Sequence, residues 1–246
     1  MRGTEPVVLK VIRKEHSEEW RCGEILDAFA GGATIRPIAY TAGAVLLPRL
    51  QPGHDLVALA RHGRDDEATE IIASLIQQTK SAGLGPPGTG SVDRLRGDFA
   101  RFRHGGDGII PLDYVDRAEA LFDDLCATQS NPRLLHGDLH HYNVLFDEDL
   151  GWVVIDPWGV VGESEFELGP SLRNPIDAPE LLQDPRNIER RLRVHVERLA
   201  LNADRALKWA FATTVLAILW PVEDGFDPGL ARPFAAAAHS MRQLLE

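Results

Sequence analysis

The chain has 246 residues, of which 44% are hydrophobic and 26% are charged, and its formal net charge is -11. This composition is typical of a globular protein with a substantial core, and the acidic balance argues against nucleic-acid binding, which requires a basic surface. The charge would favour a cationic small molecule, although carboxylates that merely solvate the surface explain it equally well. Two distant cysteines and no signal-peptide pattern lead us to expect a cytoplasmic protein without disulfides.

The first predicted strand, residues 7–12, is an apolar run interrupted by one lysine, Lys10. In isolation, such a lysine would be expected to extend from an edge strand into solvent. Residues 15–29 follow with helical spacing, and Glu24 is one of several glutamates on this predicted helix.

Two more strands are predicted at residues 35–40 and 44–47, which gives a small lobe of three strands and one helix. They lead into PRLQPG at residues 48–53, a segment punctuated by proline and glycine that we predict to be a linker. The sequence therefore predicts an α+β protein with a small lobe at residues 1–50 and a mostly helical lobe at residues 51–246.

Apolar residues at helical spacing predict helices at residues 65–80 and 113–126 in the second lobe. Three further helices are predicted: 187–206, 207–220 and 228–245. The apolar part of the second of these is too short for a membrane span, so we predict a buried core helix that ends at Pro221. GPPGTGS at residues 85–91 lacks the lysine of a Walker loop and follows no strand, so we predict an ordinary loop.

The most informative stretch is residues 135–158, LHGDLHHYNVLFDEDLGWVVIDPW. Two apolar runs around turn residues predict a β-hairpin, with Asn143 opening the first strand and Asp156 closing the second. Because hairpin strands are antiparallel, these ends lie side by side, and Asp138 precedes the hairpin on the same side. Two carboxylates and a carboxamide oxygen at one place would suit a hard cation such as Mg²⁺.

These residues resemble the catalytic and metal-binding loops of the aminoglycoside phosphotransferases, the small-molecule branch of the protein-kinase-like fold. Four motifs are similar to those of the streptomycin 6-kinase and hydroxyurea phosphotransferase subgroup: HGDLHHYN at 136–143, DPWGVVGE at 156–163, ELG at 167–169 and LRNP at 172–175. The resemblance implies a two-lobe kinase-like fold. It also implies transfer of the γ-phosphoryl group of ATP to a hydroxyl of an aminoglycoside or of hydroxyurea, giving antibiotic resistance.

The same resemblance implies roles for the loop residues. Asp138 would orient or deprotonate the acceptor hydroxyl, while Asn143 and Asp156 would bind the magnesium ion that accompanies ATP. Catalysis of this type depends mostly on positioning and on charge stabilisation.

For nucleotide binding, the resemblance implies that Lys10 positions the phosphates and that Glu24 orients the lysine. Backbone groups at Pro48 and Leu50, in the linker, would meet the adenine ring. The family has two strands and a glycine-containing phosphate loop before the lysine strand, whereas only nine residues precede Lys10 in this sequence. We therefore expect a truncated N-terminal lobe.

Two alternatives stay open on the sequence alone. Without the phosphate loop, the chain could be a weakly active or inactive nucleotide-binding remnant of such a kinase. It could also be a metallohydrolase, with four candidate zinc ligands and a bridging carboxylate. The ligands would be His136, Asp138, His140 and His141, and Asp156 would bridge.

The acceptor also stays open between an aminoglycoside and hydroxyurea. Residues 162–179 are polar and rich in glycine and proline, so we expect them to line a substrate cleft. Four acidic residues are candidates for binding a cationic acceptor: Glu163, Glu165, Glu223 and Asp224.

Overall fold

The computed structural model describes residues 6–13, 17–29, 32–79, 83–102, 109–223 and 228–246. One residue named above as an acceptor candidate, Asp224, lies outside these ranges. Within them, the chain forms three small antiparallel sheets and a larger body of helices. None of the helices in these ranges is long and apolar enough to cross a bilayer.

The strands are β1 (Val7–Val11), β2 (Ala39–Thr41), β3 (Ala44–Pro48), β4 (Pro52–Asp55), β5 (Arg133–Leu135), β6 (Val144–Asp147), β7 (Gly151–Val154) and β8 (Val160–Gly162). The sheet orders are β1-β3-β2, β4-β6-β7 and β5-β8, and all pairings are antiparallel. The three strands predicted in the small lobe are present. The second is shorter than expected, because the Ile35 N–H donates to the carbonyl of Val154 at 2.9 Å and not to its own sheet.

The α-helices in the described residues are α1 (Cys22–Ala28), α2 (Val57–Arg61), α3 (Asp65–Gln78), α4 (Arg96–Phe102), α5 (Leu112–Ala127), α6 (Leu168–Leu172), α7 (Pro179–Gln183), α8 (Pro185–Leu199), α9 (Ala203–Glu223) and α10 (Arg232–Leu244). The predicted helices at 65–80 and 113–126 are confirmed as α3 and α5, and their apolar faces are buried. Residues 85–90 form no helix or strand, as predicted for a loop.

The boundaries predicted for the C-terminal helices were wrong. The break falls at residues 200–202, where Ala200 adopts a left-handed backbone and its N–H donates to Val196, which is a common way to end a helix. Helix α9 then continues beyond Pro221 to Glu223. Its turns from Ala206 to Ile218 are buried against α5, α6 and α10, and this packing outweighs the one hydrogen bond that a proline removes.

The expectation that residues 162–179 form a polar cleft lining was wrong for residues 162–175, which are mostly buried, whereas Asp177 is exposed. A 3₁₀ helix (Ser164–Glu167) and α6 fold this part of the chain into the core, where five polar side chains are buried: Glu163, Glu167, Ser171, Arg173 and Asn174. Glu163, for example, accepts hydrogen bonds from Arg205, Trp209 and the N–H of Ser130, so it holds the helical body together and does not face an acceptor.

The hairpin prediction was correct. In β6 and β7, Val144 pairs with Val154, so the chain enters and leaves the hairpin at the same end. In the third sheet, Leu135 pairs with Val160. The loop before the hairpin and the loop after it therefore emerge next to each other.

Candidate active site

Two loops, residues 136–143 and 155–159, carry the predicted site residues. They are joined by backbone hydrogen bonds, from Ile155 N–H to the carbonyl of Asn143 and from Gly159 N–H to the carbonyl of His136, both at 3.0 Å. Asp156 has a φ of 62°, a left-handed conformation that aspartate tolerates better than most residues. The structure thus brings the ends of the hairpin together as predicted.

A buried glutamate fixes the first loop from beneath. The two carboxylate oxygens of Glu167 accept the N–H groups of His136 at 2.8 Å and Gly137 at 2.9 Å. Burial raises the pKa of Glu167 to about 7, although these two N–H groups oppose the rise. Gly137 has a φ of 82°, and a Cβ there would lie 2.7 Å from Trp158 and 2.9 Å from Val160, so the close approach requires glycine.

The ring of His136 cross-links the two loops. Its Nδ1 accepts from the N–H of Asp138 at 3.2 Å, so Nε2 carries the proton and donates to the carbonyl of Ile155 at 2.9 Å. Burial lowers the pKa of His136 to about 4, which keeps the ring neutral near pH 7. Both ring nitrogens are therefore engaged by the main chain.

Asp138 is held by three side chains and is open on its remaining side. His140 Nε2 and Asn143 Nδ2 lie 3.3 Å and 3.4 Å from Oδ2, and Arg173 Nη2 lies 3.5 Å from Oδ1. The Asp138 side chain is 42% exposed. Desolvation alone would raise its pKa, but His140, then Arg173 and His136, outweigh desolvation and lower the pKa.

Lys10 reaches the second loop from β1 and forms an ion pair with Asp156. A second carboxylate, Glu19, lies 3.0 Å from Lys10 Nζ. Desolvation would lower the pKa of the lysine, but the hydrogen bonds and charges of Asp156 and Glu19 outweigh it and raise the pKa. The structure thus pairs Lys10 with a carboxylate, Asp156, that lies 146 residues away in sequence.

The predicted contact between Lys10 and Glu24 was wrong. Glu24 pairs with Arg21, whose Nε lies 2.9 Å away. The reason is local geometry: Lys10 faces the 3₁₀ helix Glu18–Arg21 before α1, whereas Glu24 lies on α1 itself, one turn after Arg21. Glu19 makes the contact with Lys10 that the sequence assigned to Glu24.

Pro48 and Leu50 lie where the first sheet connects to the second. Pro48 ends β3, and Leu50 is buried in the small apolar cluster that includes Val45 and Val153. The next residue, Gln51, donates its N–H to an Asp147 oxygen at 2.8 Å and so attaches the linker to the hairpin. The adenine contact assigned to Pro48 and Leu50 stays a prediction.

The oxygen atoms at the hairpin end fit a magnesium ion better than zinc. Asn143 Nδ2 donates to the carbonyl of Asp138 at 2.8 Å, which directs the amide oxygen away from that carbonyl. Together with Asp156, whose side chain is 40% exposed, it offers hard oxygen ligands beside solvent.

The zinc alternative is not supported by side-chain geometry. Across the described ranges, no three His, Cys, Asp or Glu side chains converge as metal ligands. Both nitrogens of His136 are engaged, and His141 is buried beneath the loop near Arg191 and away from the carboxylates.

A further carboxylate, Asp177, lies at the rim of the solvent-exposed region around Asp138, which we call the opening. The Tyr142 hydroxyl donates to Asp177 Oδ2 at 2.9 Å, and the Tyr142 ring packs edge-on against His140. Asp177 is exposed. By contrast, Glu165 accepts from the Asn202 N–H at 3.3 Å, on the side of the helical body.

Sequence reasoning missed several residues of the site: Glu19, His140, Glu167 and Arg173. Glu167 and Arg173 belong to the ELG and LRNP motifs, but the segment around them is itself polar, so its composition gave no sign that they are buried. Nothing in the sequence distinguished Glu19 from the other glutamates of the predicted helix, because which glutamate contacts Lys10 depends on where that helix begins.

Three comparisons extend this description. The family model for "Aminoglycoside/hydroxyurea antibiotic resistance kinase" matches residues 1–225. A streptomycin 3''-kinase of Klebsiella pneumoniae is 32% identical over 100% of this chain and 91% of its own length. A hydroxyurea phosphotransferase of Kitasatospora aureofaciens is 30% identical over 92% of this chain and 68% of its own length.

Among solved structures, a thermostable mutant of aminoglycoside phosphotransferase APH(4)-Ia, crystallised with AMP-PNP and hygromycin B, superimposes with a TM-score of 0.64. The match covers 98% of this chain and 87% of that one, at 16% identity. This likeness establishes the fold: the chain has the α+β, protein-kinase-like fold that the sequence predicted.

Proposed function

The chain belongs to the aminoglycoside/hydroxyurea antibiotic resistance kinase family, and from this we propose that it transfers the γ-phosphoryl group of ATP to a hydroxyl of a small polar acceptor. The observation that carries the proposal is the meeting of Asp138, Asn143 and Asp156 with Lys10 at one solvent-facing opening. These are the parts that phosphoryl transfer requires.

In this proposal, Asp138 receives the acceptor hydroxyl, because it is open to solvent and its lowered pKa keeps it ionised. Asn143 and Asp156 hold magnesium, and Lys10 exchanges its pairing with Asp156 for the nucleotide phosphates. When bound there, magnesium would supply charge neutralisation for the phosphoryl group. Glu19 orients Lys10 in the role first assigned to Glu24, and the linker at Pro48 and Leu50 meets the adenine ring.

We further propose a streptomycin-like aminoglycoside or hydroxyurea as the acceptor, with resistance as the biological outcome. The names of the relatives support both compounds. The exposed Asp177 at the rim and the net charge of -11 favour the cationic aminoglycoside. The two chemistries differ enough for one assay to separate them.

The test is a mass-spectrometric search for phosphorylated product, with ADP release measured in parallel. The purified chain is incubated with ATP, Mg²⁺ and either streptomycin or hydroxyurea, and the Asp138→Asn variant is the control. We expect acceptor-dependent ADP release and a phosphorylated product in the wild type only. Binding of ATP without product from any acceptor would support the inactive-remnant alternative instead.

A further inference from the structure

Arg173 is a buried cation placed against the catalytic loop. It follows α6, its N–H donates to the carbonyl of Gly169 at 3.2 Å, and only 6% of its surface is exposed. Asp138, at 3.5 Å, is the carboxylate that its guanidinium contacts. Neither α6 nor the apolar core around it needs a charge at this position.

The chain on either side of Arg173 is held rigidly. The carbonyl of Asn174, the next residue, accepts from Arg191 Nη1 at 2.8 Å, and its side-chain amide donates to Pro170 at 2.9 Å. Arg191 is fixed in turn by a buried ion pair with Asp65. The guanidinium of Arg173 is therefore presented to Asp138 from a braced backbone.

The surroundings of Arg173 do not satisfy all of its hydrogen-bond donors. For its Nη1 atom, which is buried, no hydrogen-bond acceptor lies within reach among the described residues. A buried cation with one long contact costs free energy, so stability alone does not account for it. Charged groups that cost stability are concentrated at functional sites, where they act on other groups.

We propose that Arg173 is a positioning residue for phosphoryl transfer, which holds the Asp138 carboxylate in the orientation that meets the acceptor hydroxyl. The contact to Oδ1 by Arg173 complements those to Oδ2 by His140 and Asn143, so that both oxygens are restrained. Restraint of this kind contributes through orientation and not through binding. The inference rests on the proposed function, because it needs an acceptor at Asp138.

The test compares kcat and the Kd for magnesium-ATP in Arg173→Met and Arg173→Lys. Removing a group that orients a metal ligand commonly costs about 10- to 100-fold in activity, and we expect the same scale for a group that orients a carboxylate. We expect a loss of that size in kcat for Arg173→Met, a smaller loss for Arg173→Lys, and an unchanged Kd in both. Arg193→Met, on the exposed face of α8 with 64% of its side chain in solvent, is the matched control and should keep its kcat.

A double-mutant cycle separates positioning from a general structural role. If Arg173 acts through Asp138, adding Arg173→Met to Asp138→Asn should cause little further loss of kcat. The same fractional loss in both backgrounds, or a folded Arg173→Met with unchanged kcat, would overturn the inference. If Arg173→Met does not fold, Arg173→Lys is carried through the same cycle and decides by the same criteria. A wild type without acceptor-dependent product would overturn the proposed function, and this inference with it.

Discussion

Two aspartates of this protein face arginines in opposite ways. Asp65 and Arg191 are buried with 6% and 1% of their side chains exposed, and the guanidinium donates from two nitrogens, including Nε at 2.9 Å. Asp138 is 42% exposed and meets Arg173 through one contact at 3.5 Å. In the Asp65–Arg191 pair, each side chain satisfies the charge and hydrogen bonds of the other, and the pair joins α3 to α8. In the pair with Arg173, the Asp138 carboxylate stays open for a ligand. Geometry thus separates an aspartate with a structural pairing from the aspartate for which we propose a catalytic role.

We expect the largest effect from a substitution that alters the Asp138–Arg173 pair. Asp138→Asn keeps the shape of the side chain and removes its charge, so kcat for phosphoryl transfer should fall by about 10²- to 10⁴-fold. The Kd for magnesium-ATP and the thermal midpoint should stay close to the wild-type values, because we assign Asp138 to the acceptor and not to the nucleotide. Steady-state kinetics and calorimetry on the same preparation check this, and near-normal turnover would remove Asp138 from its assigned role.

The structural pair should respond through stability. Asp65→Ala leaves Arg191 buried without its carboxylate, which should lower the free energy of unfolding by about 3–5 kcal/mol. Asp66→Ala is the matched control on the same helix. Asp66 is 70% exposed and pairs with Arg190, so its loss should cost no more than about 1 kcal/mol. Denaturant unfolding measures both, and equal losses would show that the Asp65 pair is not special.

We expect a smaller effect in the pH dependence of the free energy of unfolding, and we assign it to His195, which is influenced by Arg191. Burial, and then the charge of Arg191, lowers the pKa of His195 to about 3. A histidine whose pKa is lowered by folding makes its full contribution to stability at pH values above its pKa in the unfolded chain, near 6.5. This contribution is lost as the pH falls toward 3, the pKa in the folded protein. Between pH 7.5 and pH 5 it should amount to about 2 kcal/mol.

The variant His195→Gln isolates that contribution. Its free energy of unfolding should fall less steeply than that of the wild type when the pH is lowered from 7.5 to 5. Unfolding curves at both pH values provide the measurement. Parallel losses in the two proteins would mean that His195 is not the group that titrates.

The smallest expected effect distinguishes two glutamates beside the functional opening. Glu19→Gln removes a carboxylate that lies 3.0 Å from Lys10, so magnesium-ATP affinity should weaken by a few-fold, about 1 kcal/mol or less for a partly exposed pair. Glu24→Gln, which removes the ion pair with Arg21, is the matched control and should bind magnesium-ATP normally. A larger loss of magnesium-ATP affinity in Glu24→Gln than in Glu19→Gln would support the original assignment of Glu24 as the partner of Lys10.

The sequence predicted the local parts of this protein well. The hairpin, the helices α3 and α5, and the meeting of Asn143 with Asp156 follow from patterns within short windows, because periodicity and antiparallel pairing are local properties. The loop at residues 85–91 was predicted for the same reason, from its composition.

The remaining features depend on contacts between distant segments. The burial of Glu163 and Arg173 is decided by partners far along the chain, which no window of residues 162–179 contains. The choice of Glu19 over Glu24 depends on the start of a helix, and such boundaries are the least predictable part of secondary structure. The same holds for the break at Ala200, which was placed several residues too late.

Calorimetry of ATP binding with and without Mg²⁺ tests whether Asn143 and Asp156, at the end of the hairpin, bind magnesium-nucleotide as we propose. We predict that the wild type binds ATP more tightly with Mg²⁺. Asp156→Ala should lose most of that enhancement, a change of about tenfold or more in Kd, or about 1.4 kcal/mol. An unchanged magnesium dependence in Asp156→Ala would contradict the account and locate the metal site elsewhere.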